Sequence, residues 1–353
     1  MRTKDTFQGE CETVVFGGAS MQGWRRTMED THLAQLQIGP HRSDIFGVFD
    51  GHGGPEVARF CERHMGDQIQ ATSGFQEGDM GGAMVSVFHR MDEMLNDPER
   101  WKEIESLRDR PGEPEGEGEG GEPNPIDLLR KWFDARREGE GEGEGEGSAG
   151  TPVAEQELQA GCTAVVAMLH RGSVYVANAG DSRAVISKAG VAEALSEDHK
   201  PTQDTERQRI VKAGGFVSEI GGVARVNANL NLSRAIGDLR YKSNRALPPK
   251  DQIITAEPDI TVTELLPEHE FMVLACDGVW DVMTNQQVVT FVRERLGTAD
   301  KPGLSAEETC CELLDACLAK DPKESRGIGC DNMTAVVVQF RKGALAGVGS
   351  AGN

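Results

Sequence analysis

No apolar run in this sequence approaches the roughly 20 residues that a bilayer-spanning helix needs, so no membrane partner is expected. Cations are also in short supply. Lys and Arg number 37 against 58 Asp and Glu, for a formal net charge of −21. A nucleic-acid binder shows a basic face, and none is visible here. An acidic surface is repelled by anionic membranes as well. The eight cysteines never fall at C-x-x-C spacing, which argues against a zinc module. Nor does any of them open a C-x-x-x-x-x-R phosphate loop, and no D-x-D-x-D-G run offers a calcium loop. Several cysteines sit inside apolar runs, where the thiol behaves as a small hydrophobe. They read as free thiols of a reducing compartment. Met1-Arg2-Thr3-Lys4-Asp5 matches neither a signal peptide nor a myristoylation site, so a cytoplasmic or nuclear location is expected.

What is present is enough for a core. The chain has 353 residues and a hydrophobic content of 38%. Ten of its glutamates lie in two Glu-Gly tracts, Glu113–Glu122 and Glu138–Gly147, without which the net charge is about −11. Such tracts have nothing apolar to bury and repel themselves. Between them, Ile126 to Phe133 is mildly amphipathic and reads as a short helix or a docking element for a partner. Residues 97–155 are therefore expected to be an insertion in one compact domain spanning 1–342, with 343–353 as a small-residue tail. The expected assembly is a monomer.

The domain is organised around Val48-Phe49-Asp50-Gly51-His52-Gly53-Gly54. Ile45–Phe49 is short and bulky and reads as a buried strand that delivers Asp50 at its end. The glycines allow a backbone to turn sharply and approach a ligand. The pattern recurs. Phe271–Cys276 is another apolar strand and ends in Asp277-Gly278, while Asp331 comes just before the strand Thr334–Phe340. In antiparallel pairs one strand's end lies beside its neighbour's start, so these acids can gather at one sheet edge. Glu29, Asp30 and Asp181, each beside a strand, can join them. Further strands are expected at Thr13–Phe16 and His32–Leu36, as a pair, and at Thr163–Leu169 with Ser173–Asn178, as a hairpin about Arg171-Gly172. Helices are expected over 55–72, 81–96, 206–213, 284–296 and 305–320. The last two open on capping boxes, Thr284 with Gln287 and Ser305 with Glu308.

Five or six carboxylates cannot share a site without cations, because their charges raise one another's pKa. All-oxygen ligands favour Mg²⁺ or Mn²⁺ over softer metals. Two such ions sharing a carboxylate generate a hydroxide from bridging water. An arginine adds a bidentate grip on phosphate, and Arg25 and Arg26 are both available. A nearby histidine can protonate a leaving oxygen. The chemistry implied is phosphoester hydrolysis.

Eight stretches in order then identify the chain as resembling the PPM family of metal-dependent phosphatases, the type-2C serine/threonine phosphatases. They are Met21–Arg25 through Met28-Glu29-Asp30, Val48–Gly54, Gly161–Ala164, Ala179–Arg183, Asp198–Pro201, Ser233–Asp238, Leu274–Asp281 and Asp331–Thr334. The resemblance implies an α+β fold, a four-layer α-β-β-α sandwich with two central antiparallel sheets. It implies Asp50 as the ligand bridging two Mn²⁺ or Mg²⁺ ions, with the Gly51 carbonyl on one and Asp277 and Asp331 on the other. Glu29 and Asp30 would hold metal-bound water or complete the shell. Asp181, with Asp277, would form a weaker third site. The R-x-x-M-E-D spacing implies Arg25 as the phosphate ligand, and His52 would be the general acid. Substrates would be phosphoserine and phosphothreonine proteins. A binding module built on the same fold would lack metal acids, and all are present here. Two departures from the common pattern are Cys162, where serine is frequent, and Ala228, where a turn glycine is frequent.

Overall fold

A computed structural model describes residues 2–108, 158–298 and 301–341. Most of the insertion and the small-residue tail, including Ile126–Phe133, lie outside the described residues. Two antiparallel sheets dominate the fold. The first has the order β1 (Lys4–Glu10), β2 (Val14–Met21), β18 (Met333–Phe340), β15 (His269–Ala275), β9 (Arg183–Lys188), β10 (Val191–Ala194). The second has the order β14 (Asp259–Glu264), β8 (Ser173–Ala179), β7 (Ala164–His170), β4 (Ser43–Phe49), β3 (Thr31–Ile38).

The central strands read as unbroken apolar runs because both of their faces are covered, and the two-residue period sorts each side chain to a layer. In β4, Phe46 and Val48 join the core between the sheets, while Ile45 and Phe49 face the opposite way. In β18, Val336 and Val338 point inward between the sheets, whereas Ala335 and Val337 point outward. Each outward face is closed by helices. Val57, Phe60 and Met65 of α1 (Glu56–Ala71) and Met84, Val87 and Phe88 of α3 (Met80–Leu95) cover the second sheet. Val288 and Val292 of α7 (Asn285–Leu296) and Leu313 and Leu314 of α8 (Ala306–Cys317) cover the first. Three stacked apolar cores make the four layers of an α-β-β-α sandwich. Both expected capping boxes are formed, on Thr284 and on Ser305.

A smaller lobe carries α5 (Asp204–Lys212) and the hairpin β11 (Val217–Ile220) with β12 (Val223–Val226). It has its own core of Ile210, Val226, Leu232, Tyr241 and Ile254. Asn227 and Ala228 beside it lie at φ 49° and 60°, a left-handed turn that costs the alanine some strain. A three-stranded strip, β5 (Gly51–His52), β6 (Gly161–Cys162) and β13 (Ile236–Gly237), joins this lobe to the end of β4.

Two expectations are corrected. The strands at 13–16 and 32–36 do not pair with each other: β2 lies between β1 and β18, and β3 pairs with β4 in the other sheet. The segment 22–30 therefore crosses between sheets rather than closing a hairpin. The second concerns where the insertion starts. Residues 97–108 contain a 3₁₀ turn, Pro98–Arg100, and α4 (Trp101–Ser106), with Ile104 and Leu107 buried in the α1–α3 core. Arg59 of α1 donates to the Leu107 carbonyl at 2.6 Å, so this stretch is packed domain. Several elements escaped the sequence reading, among them β10, the β11–β12 hairpin and β14, and two more did so for opposite reasons. Strand β1 is a half-exposed edge with alternating polar residues, and α2 (Ser73–Glu77) is a single short turn.

Candidate metal centre and active site

The acids converge because strand ends converge. Asp50 follows β4, whose last residue, Phe49, pairs with Thr31 at the start of β3, so Asp30 lies alongside. Asp277 follows β15, whose end pairs with the start of β18 through Ala275 and Ala335, which brings Asp331 to the same edge. Asp181 sits in the turn between β8 and β9. The Thr163 N–H donates to the Asp50 carbonyl at 2.9 Å, and the Thr163 hydroxyl lies 2.7 Å from that of Ser182, which links this turn to the end of β4. Close backbone approach accounts for two glycines. A Cβ on Gly51 would lie 2.3 Å from the Glu29 carbonyl oxygen, and one on Gly278 would lie 2.1 Å from that of Asn332.

The cluster is short of positive charge. Ligand atoms of Asp30, Asp50 and Cys276 all lie within 4.8 Å of one another. Asp30 accepts from the Thr334 hydroxyl at 2.8 Å, while its other oxygen is buried without a hydrogen-bond partner among the described residues. Burial pushes the Asp30 carboxyl up to about 7. Burial, then repulsion from Asp30, Asp277 and Asp181, drives Asp50 well above the usual carboxylate range. Burial, then Asp181 and Asp331, does the same to Asp277. Carboxylates forced together in this way fit hard divalent ions, and the buried Asp30 oxygen is suited to ligate one.

Glu29 and Asp30 diverge as expected of neighbours. Glu29 accepts from Thr27 Oγ1 at 2.8 Å and from the Gly54 N–H at 3.2 Å, which places it at the rim beside the glycine turn. Arg25 donates to Asp331 at 2.5 Å and keeps most of its side chain in solvent. Arg26 is exposed, and its carbonyl is held by Gln22 at 2.8 Å. His52 lies next to Gly51 with Nε2 at 2.7 Å from Asp238 Oδ2. Burial lowers the His52 pKa, but the Asp238 carboxylate outweighs it and the net shift is upward.

Four residues around this site carried no role in the sequence reading. Lys200 donates to Asp181 at 2.5 Å. Asn332 accepts from the Glu29 N–H at 2.9 Å and donates to the Gln22 and Thr27 carbonyls at 2.8 and 2.9 Å, clamping the 22–29 segment to the start of β18. Cys276, read as a plain hydrophobe, borders the acids, and burial holds its thiol protonated. Asp238 closes on His52. All four fall inside or beside the recognised motifs, which was the only available signal, since their contacts link distant parts of the chain.

Comparison with known proteins bears on the family and the fold. The family model "Protein phosphatase 2C" matches residues 14–113 and 119–325. "Probable protein phosphatase 2C 11" of Oryza sativa subsp. japonica is 45% identical over 337 residues, covering 95% of this chain and 87% of its own. "Protein phosphatase 2C 1" of Paramecium tetraurelia is 38% identical and covers 97% of each chain. A solved serine-threonine phosphatase 2C from Toxoplasma gondii has the same fold, with a TM-score of 0.65 at 20% identity over 96% of this chain and 99% of that one. With the family model across most of its length and relatives well above 30% identity, the chain belongs to the protein phosphatase 2C family, as a metal-dependent protein serine/threonine phosphatase.

Proposed function

We propose that Asp50, the Gly51 carbonyl, Asp277 and Asp331 hold two Mg²⁺ or Mn²⁺ ions, backed by Glu29 and Asp30. The observation that carries this is the convergence of Asp30, Asp50 and Asp277, none with an ion-pair partner among the described residues, on one edge of the sandwich. When bound, the ions supply positive charge for the phosphate and acidify water. Asp181, with Asp277, offers a third and weaker cation site, in competition with the Lys200 ammonium. Arg25, pivoting from Asp331, grips the phosphate of a phosphoserine or phosphothreonine. His52 gives the proton that lets the serine or threonine oxygen depart. Among the described residues no helix is long and apolar enough to cross a membrane. The free cysteines fit the cytoplasm or nucleus.

The test is phosphate release from a phosphothreonine peptide with Mn²⁺ or Mg²⁺, followed by excess EDTA. Release with metal and loss with chelator are expected. Activity that survives full chelation would remove the metal assignment.

A further inference from the structure

Asp238 is fully buried, yet no arginine or lysine pairs with it among the described residues. Its Oδ2 meets His52 Nε2 at 2.7 Å, and its Oδ1 has no hydrogen-bond partner among the described residues. A buried carboxylate is costly unless it is compensated, and here its side-chain partner among the described residues is one imidazole.

The chain is built to bring the two together. In the strip β5-β6-β13, His52 and Gly237 both pair with Gly161. Asp238 then follows in the left-handed region at φ 49°. Its N–H is held by the Ala160 carbonyl at 3.0 Å. The Gly237 N–H is held by Asp92 of α3 at 2.8 Å, and Lys242 ties Asp92 to the Ala235 carbonyl through contacts of 2.5 and 2.7 Å. Gly161 leaves the gap that the pair needs: a Cβ there would lie 2.4 Å from Asp238 Oδ2 and 2.8 Å from His52 Nε2.

We propose that Asp238 is the positioning residue for His52, fixing the ring's orientation and committing Nε2 as the N–H that faces the carboxylate. Nδ1 is then the nitrogen that carries the transferable proton. As the bond from phosphorus to the leaving oxygen breaks, the Nδ1 proton moves to that oxygen and yields the free serine or threonine hydroxyl. The doubly protonated imidazolium thereby becomes a neutral imidazole, its Nε2–H still held by Asp238. This rests on the reading of His52 as the acid.

The test uses the full chain with Mn²⁺ and two substrates. A phosphothreonine peptide has a poor leaving group that needs a proton, whereas p-nitrophenyl phosphate has a good one that does not. Asp238→Asn keeps the size and tolerates the left-handed backbone. Its expected loss in kcat on the peptide is about 10²-fold, exceeding the loss on the aryl phosphate by about tenfold or more. His52→Gln should show the same imbalance, and adding Asp238→Asn to it should cost nothing further. Gly161→Ala, which crowds the pair and removes neither member, should lean the same way. Equal losses on both substrates, or an undiminished kcat on the peptide, would overturn the proposal. If His52→Gln is itself balanced, the acid reading falls and the proposal falls with it. If His52→Gln is imbalanced and Asp238→Asn is not, only the role of Asp238 is lost.

Discussion

Two groups of acids drawn largely out of solvent have opposite fates in this molecule. At the sheet edge, Asp30, Asp50 and Asp277 crowd one another, and burial and repulsion raise all three. In the small lobe, Glu206 of α5 is as buried as Asp30 and more so than the half-buried Asp50 and Asp277, yet its pKa falls to about 2. Burial opposes that fall, but the contacts to Arg234, Arg209 and Ser233 outweigh it. Arg234 reaches Glu206 Oε1 at 2.8 Å, Arg209 reaches Oε2 at 2.6 Å, and the Ser233 hydroxyl adds a bond at 2.7 Å. Arg234 also ties this lobe to Asp259 of β14 at 2.7 Å. An acid with two arginines is part of the scaffold. Acids that crowd one another with no ion-pair partner among the described residues mark a place prepared for a cation from solution.

That contrast is open to attack by substitution. Asp277→Asn should lower turnover by on the order of 10³-fold or more, since it removes several kcal/mol of metal-dependent stabilisation. In the metal-free protein it should not reduce the denaturation midpoint, because it relieves repulsion and empties no core volume. A large loss of stability would put Asp277 in the scaffold class. Glu206→Gln should do the reverse. It removes the charge that two buried guanidiniums share and leaves Arg209 without an ion-pair partner among the described residues, at a cost of about 3–5 kcal/mol in urea unfolding. Normal stability would mean the network is dispensable.

pH separates the groups again. The Glu206 carboxyl is depressed from 4.5 to about 2, so its stabilisation is complete above pH 4.5 and is lost as pH falls from there toward 2. The loss amounts to about 3 kcal/mol, and Glu206→Gln should flatten that part of a stability-versus-pH curve. A smaller effect is expected from Asn332→Ala. It leaves every acid in place but frees the 22–29 segment, so Mn²⁺ affinity should weaken by about 10–100-fold as judged from activity titrations. Unchanged affinity would show that β18 and the strand pairs hold Glu29 and Asp30 without the clamp.

The legible part of the site was the part encoded locally. Asp50 and Asp277 stand out because an apolar run, an acid and a glycine are adjacent in the chain, and strand pairing then places them side by side. The capping boxes on Thr284 and Ser305 are likewise four-residue patterns. The roles of Asp238, Asn332 and Lys200 were not legible, because each depends on a partner in a different element. His52 and Asp238 meet only through the strip around Gly161, and no spacing rule anticipates that. The pairing of β2 was missed for a similar reason: its partner β18 is at the far end of the domain, and the nearer candidate, β3, belongs to the other sheet. The packed turn at 97–108 went unread because Ile104 and Leu107, with the exposed Trp101, stand singly among charged residues, and only their place in the α1–α3 core and the Arg59 contact show where they go.

The smallest effect expected is the deletion of residues 111–150. The site is assembled from β4, β15, β18 and the turns beside them, and the described chain on either side of the deletion, to Arg108 and from Leu158, is tied to that core. Arg108 is anchored to the buried Glu56 at 2.8 Å, and Ala160 holds the Asp238 N–H. A repulsive Glu-Gly composition has little apolar surface to contribute to such a core. Turnover of a small aryl phosphate should therefore stay within about twofold of the full chain, and the urea midpoint should hardly move. A phosphoprotein substrate is the sharper probe. If Ile126–Phe133 docks partners, the deletion should raise KM for the phosphoprotein and leave kcat alone. Collapse on the aryl phosphate would instead make the segment part of the catalytic domain.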